Sequence, residues 1–135
     1  MAESVGGTGA ERLDHGLDAA ERPELIALLK SKGIGITLCP WAYVRHHFEH
    51  DLFRHIRTLF DAGIKITISS DSPAYVESNW VTDNLLLLRL KCNFTDEEIA
   101  QVERNAVEVC WASQEIKEGI LREIEGFCKS NRTVK

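Results

Sequence analysis

The sequence predicts an α/β fold. Three observations predict it: short alternating runs rich in β-branched residues, apolar stripes at helical spacing between them, and Gly or Pro at most junctions. The clearest run is Ile64–Pro73, IKITISSDSP. Ile64, Ile66 and Ile68 alternate with Lys65, Thr67 and Ser69, the period of a strand. Gly63 ends the preceding helix and Pro73 stops the strand from running on. Asp71 falls just past the strand end, on the parity of Thr67 and Ser69. A carboxylate at the tip of a buried strand is costly unless a metal ion, a positive group or a substrate hydrogen bond pairs with it.

The elements follow in order. Glu11–Asp14 reads as a weak strand running into His15-Gly16, where Gly16 lets the backbone turn sharply. Ala19–Lys32 reads as a helix, with Pro23 in its first turn and Gly33 past its end. Ile34–Leu38 alternates as a second strand and stops at Cys39-Pro40. Trp41–His47 reads as a loop and Phe48–Ala62 as a helix, with Leu52, Ile56, Leu59 and Phe60 on one side. His15, Cys39 and Asp71 therefore recur at the ~30-residue spacing of βα units. Parallel strands with right-handed crossovers put all three at the carboxyl edge of one sheet, where α/β proteins place ligand sites.

After Pro73 the pattern is purely helical. Ser78–Lys91 carries Leu85–Leu88 and Leu90, the composition of a well-buried helix. Thr95–Trp111 opens with a capping box, Thr95 and Glu98. Ser113–Phe127 repeats the theme, and Cys128–Lys135 reads as a frayed tail. Three parallel strands leave two long edges, which parallel sheets normally cover or close. The pattern is that of part of a larger α/β fold.

The chain has 135 residues, a net charge of −5 and 27% charged residues. Its acidic balance argues against nucleic acid and anionic membrane as partners. No apolar run approaches the ~20 residues of a membrane span. The start, MAESVGGTGAERLDHG, lacks the pattern of a signal peptide. Cys39, Cys92, Cys110 and Cys128 form no CxxC pair, so the expectation is free thiols in a reducing, cytoplasmic setting. The sequons at Asn93–Thr95 and Asn131–Thr133 then carry no meaning.

Weaker constellations read as structural. Gly6, Gly7 and Gly9 lack the preceding strand and the Lys-Ser/Thr of a phosphate loop. His46, His47 and His50 in HHFEH read as a solvated helix start, and His55 as a surface residue. Trp41, Trp80 and Trp111 read as packing anchors. Cys39 reads as a small buried filler, with no acid–base partner evident beside it.

Three segments in order then carry a resemblance: Arg12-Leu13-Asp14-His15-Gly16, Thr37-Leu38-Cys39-Pro40, and Ser70-Asp71-Ser72-Pro73-Ala74-Tyr75. Together they resemble the last three βα units of the adenosine/adenine deaminase family, most closely fungal adenine deaminase-like proteins. Phe94-Thr95 and Asn105-Ala106 extend the likeness into the tail. The resemblance implies a partial (β/α)₈ barrel over residues 11–128, with residues 1–10 a flexible start or helix end and 129–135 a frayed tail. It implies one catalytic zinc and hydrolysis of a purine 6-amino group to ammonia. It gives His15 the role of supporting the attacking hydroxide, Asp71 that of zinc ligand and proton acceptor, and places Gly16 and Ser72 at the substrate. Ser72 stands where a second aspartate is usual, and Ala42-Tyr43 where a Ser-Asn turn is usual. The other expected zinc ligands, a His-x-His pair and a further histidine, and the acidic glutamate precede the matched part. The implied partners are a small purine and, for a non-catalytic fragment, a second copy or an amino-terminal half bound through exposed sheet edges.

Overall fold

A computed structural model of the chain describes residues 9–46, 51–75 and 80–132. Three parallel strands form one sheet in the order β1 (Arg12–Asp14), β2 (Gly35–Leu38), β3 (Ile66–Ile68). The register pairs Leu13 with Ile36 and Ile36 with Ile66. Strand alternation puts Leu13, Ile36, Leu38, Ile66 and Ile68 on one face. That face packs on Leu25, Leu29, Leu52, Ile56 and Leu59 to make the core. Arg12, Asp14, Thr37 and Thr67 share the other, polar face.

The helices are α1 (Pro23–Lys32), α2 (Pro40–Arg45), α3 (Leu52–Asp61), α4 (Val81–Cys92), α5 (Asp96–Val109) and α6 (Gln114–Arg132). The helix expected over Ala19–Lys32 is broken in two. A 3-10 turn covers Leu17–Glu21, and Arg22 is extended at φ −129°, ψ 90° before α1 begins. Pro23 is the cause, because its ring disfavours the helical region for the residue before it. Gly33 closes α1 in the left-handed region, as its position predicts. The loop expected over Trp41–His47 is instead α2, started by Pro40 at the first helical position. Residues 47–50, which include His47 and His50, lie outside the described residues, as do residues 1–8 with Gly6 and Gly7. Residues 76–79 and 133–135 also lie outside them, so the Asn131–Thr133 sequon is only partly described.

Burial corrects three further expectations. In α4 only Asn84, Leu88 and Cys92 are buried, while Leu90 is 71% exposed. One face of α4 packs on α2 and α3; nothing among the described residues covers the other. His55 is buried rather than surface, because the 3-10 turn lies over it and brings Glu21 Oε1 within 3.4 Å of its Nε2. Trp80 and Trp111 are exposed, and only Trp41 packs as an anchor. Trp111 instead ties the end of α5 to the start of β1. Its Nε1 donates to Glu11 at 2.9 Å, and the Arg12 guanidinium lies 4.5 Å from the ring centre. Helix α6 continues to Arg132, past the end expected at Phe127.

The edges of β1 and β3 have no strand partner among the described residues. At β3 the side chain of Asn105 donates to the Ile66 carbonyl at 3.1 Å, giving that buried group a partner from α5. The Thr95/Glu98 capping box forms as the sequence predicts, and Arg57 of α3 reaches Glu98 at 2.6 Å. No helix among the described residues is long and apolar enough to cross a membrane.

Candidate metal centre

The three strands end together, and each delivers one side chain to the carboxyl edge. His15 follows β1 and still donates its backbone N–H to Thr37 at 2.9 Å. Cys39 follows β2. Asp71 follows β3 after Ser69, whose N–H donates to the Leu38 carbonyl at 2.9 Å. His15 and Asp71 both have positive φ, 58° and 60°. Non-glycine residues rarely adopt this conformation, and such positions concentrate at functional sites. It turns each chain away from the sheet straight after the strand.

This changes the role of Gly16. Its φ is −80°, so the sharp turn belongs to His15. Gly16 is needed for space: a Cβ there would meet Ile36 Cγ2 at 3.1 Å.

One ligand atom from each of His15, Cys39 and Asp71 lies within 4.8 Å of the other two. A cavity of about 400 Å³ opens beside them, lined also by Asp14, Thr37 and Thr67. The hydroxyl of Thr67 donates to that of Thr37 at 3.3 Å along its floor. A larger cavity of about 530 Å³ lies at the opposite edge of the sheet, between Gly9, Lys65 and Trp111. Its charges Lys65 and Glu108 neutralise each other at 2.9 Å, and among the described residues it gathers no comparable ligand set.

His15 and Asp71 are exposed, whereas Cys39 is buried. The burial cost expected for Asp71 is therefore not incurred. Cys39 has its thiol pushed up to about 11, first by burial and then by the Asp71 charge. The Ser72 hydroxyl donates to Asp71 Oδ1 at 3.0 Å, and the Asp71 N–H reaches Ser69 Oγ at 3.4 Å. The nitrogen, sulfur and oxygen set suits zinc chemically.

Cys39 is expected at this edge, but as a filler with no partner beside it, and it lies against His15 and Asp71 instead. One neighbour of this cluster escaped the sequence. Tyr43, whose hydroxyl lies 3.0 Å from His15 Nδ1, was hidden by the reading of its segment as a loop. Pro40 after a strand was the available signal for a helix start.

Residues 1–127 match the family model described as adenosine deaminase. The chain belongs to this family. It is 34% identical over 90% of its length to an uncharacterized deaminase of Schizosaccharomyces pombe, covering 36% of that protein. It is 36% identical over 84% of its length to an adenine deaminase of Gibberella zeae, covering 32% of it. Among solved structures, an adenine deaminase from Arthrobacter aurescens superposes with a TM-score of 0.86 at 27% identity, over 94% of this chain and 39% of that one. An amidohydrolase from Burkhoderia ambifaria with bound Zn superposes with a TM-score of 0.80 at 21% identity, over 96% of this chain and 37% of that one, a likeness of fold. This deaminase-family chain thus spans about a third of the length of the curated relatives it matches. Its parallel α/β sheet agrees with part of a deaminase-type barrel.

Proposed function

We propose that this chain supplies the last three βα units of a zinc-dependent purine aminohydrolase. The reaction is hydrolytic deamination of adenine or adenosine: water adds at the carbon bearing the amino group, and ammonia leaves. The observation that carries this reading is the convergence of His15 and Asp71 at one sheet edge, their ligand atoms within 4.8 Å.

Asp71 would hold the zinc and accept a proton, and His15 would support the attacking oxygen. Bound zinc brings the pKa of its water towards neutrality, which supplies a nucleophile at physiological pH. Gly16 and Ser72 are the positions the resemblance gives to the substrate; Gly16 is buried, Ser72 is exposed, and neither lines the cavity beside the cluster. Ser72 is neutral, and its proton is engaged with Asp71, so it cannot act as a fixed anion toward a purine. That difference bears on which base or nucleoside is accepted.

One family zinc ligand in four cannot hold the ion tightly. The chain alone is therefore inactive in this reading, and the remaining ligands come from barrel units it does not contain. The four free thiols suit a cytoplasmic setting. The test is metal content and ammonia release for the 135-residue chain, with a panel of purines. Little zinc and no ammonia are expected. About one tightly held zinc per chain, or turnover by the chain alone, would overturn the composite site.

A second reading, favoured by the edges of β1 and β3 that have no strand partner among the described residues, is a non-catalytic chain that associates through its sheet edges with an amino-terminal half or itself. Sedimentation of the chain over a concentration series separates a monomer from a self-associating species.

A further inference from the structure

The geometry points to Tyr43 as the positioning residue of His15: its hydroxyl donates to Nδ1, fixing both the ring's orientation and the nitrogen that carries the proton. The inference rests on the deaminase reading for its purpose, though not for its test.

The support begins in the core. Asn84 is fully buried on α4, and its side-chain oxygen accepts from the Trp41 N–H at 2.8 Å. Its amide donates to the Trp80 carbonyl at 3.0 Å, so both ends of this side chain are held. The first turn of α2 is thereby pinned to α4. Tyr43 lies one turn after Cys39, and its N–H donates to the Cys39 carbonyl at 3.2 Å. A helical turn brings residues four apart to the same side, so the Tyr43 ring stands beside the cluster that Cys39 joins.

From there Tyr43 makes two contacts with His15. The rings meet edge to face, with centroids 5.8 Å apart and planes at 71°. The hydroxyl lies 3.0 Å from Nδ1. A phenol keeps its proton at neutral pH. A phenol oxygen shares its lone pair with the ring and is a better donor than acceptor. A neutral imidazole nitrogen is a good acceptor. The bond therefore runs O–H to Nδ1, and the neutral ring carries its proton on Nε2. That leaves an N–H donor for an oxygen bound at the cluster. His15 is exposed and sits at a strained φ, so its own strand does not hold the ring.

The test uses the whole chain, ¹⁵N-labelled and chelator-treated, at about pH 7.5, where an ordinary imidazole is mostly neutral and a fluorinated phenol keeps its proton. Long-range ¹H–¹⁵N spectra read both ring nitrogens, and His15→Gln assigns the signals. The expected result is a proton on Nε2 and a hydrogen-bonded, unprotonated Nδ1. In Tyr43→Phe, which keeps the aromatic ring, the Nδ1 signal moves to the position of an unbonded acceptor. Fluorotyrosine, a more acidic donor, moves it the opposite way without a change of sequence; Tyr75 is exposed, so its substitution is harmless. A proton found on Nδ1, or His15 signals unmoved by both substitutions, overturns the assignment. Neither outcome depends on zinc or turnover, so the result is separable from failure of the deaminase reading.

Discussion

The hydroxyl of Ser72 donates to Oδ1 of Asp71 at 3.0 Å, joining adjacent residues just past β3. It leaves the second carboxylate oxygen as the freer one. Hydrogen bonds behind a metal ligand fix its orientation, and losing one typically weakens binding about 10- to 100-fold. In a protein that joins this chain to the other barrel units, Ser72→Ala is expected to lower Zn²⁺ affinity roughly 10-fold. Competition against a chromophoric chelator measures it. Unchanged affinity would mean that Ser72 does not orient Asp71.

Glu98 gives a pH prediction. Its carboxylate accepts from Arg57, and from the Thr95 N–H in the capping box, so its pKa is held down to about 2, chiefly by Arg57. A depressed carboxylate contributes stability that is present above its unfolded pKa and lost as pH falls through the folded value. The destabilisation by Glu98→Gln is therefore expected in full at pH 7, at about 1 kcal/mol as for a partly exposed ion pair, since Gln can still accept from the Thr95 N–H. It should shrink below pH ~4, and vanish near pH 2. Urea unfolding of both proteins across that range checks it. A difference independent of pH would remove the carboxylate's charge from the explanation.

The amino edge of β2 has no room for a side chain. A Cβ on Gly35 would lie 2.6 Å from Val109 Cγ1 and 3.2 Å from the Lys65 carbonyl oxygen. Backbone on one side leaves only α5 to yield. Gly35→Ala is expected to destabilise by about 1–3 kcal/mol, the range for overpacking. Gly16→Ala, at 3.1 Å from a side-chain methyl of Ile36, should cost less. Thermal melts of the two variants give the order, and the reverse order would contradict the packing described.

Asn105 is buried, and its amide partners the Ile66 carbonyl while its oxygen accepts from Gln101. Asn105→Leu keeps the volume and removes the donor. It leaves that carbonyl unsatisfied at a cost of about 1–3 kcal/mol. Amide exchange across β3 should rise together with the loss of stability. A neutral substitution would show that the edge carbonyl has another partner.

The sheet was readable because period-two alternation at Ile64–Ile68 and the Gly and Pro punctuation are local signals. Convergence of His15, Cys39 and Asp71 was readable because parallel βα units impose it. What escaped depends on contacts between distant segments. The exposure of Leu90 depends on which elements pack against α4, and hydrophobicity alone cannot reveal it. The burial of His55 depends on a 3-10 turn set by Pro23, more than thirty positions earlier. The positive φ at His15 was assigned to its glycine neighbour, since sequence marks where a turn is easy and not which residue makes it.

The central claim is that His15 and Asp71 are two parts of a deaminase site completed by other barrel units. The direct measurement is ammonia release from adenine by a chimera in which residues 9–132 replace the structurally matching segment of the Arthrobacter aurescens adenine deaminase. The account predicts zinc-dependent turnover that Asp71→Ala abolishes together with tight zinc binding, and that His15→Ala lowers while zinc stays bound. Turnover that persists in Asp71→Ala would contradict it.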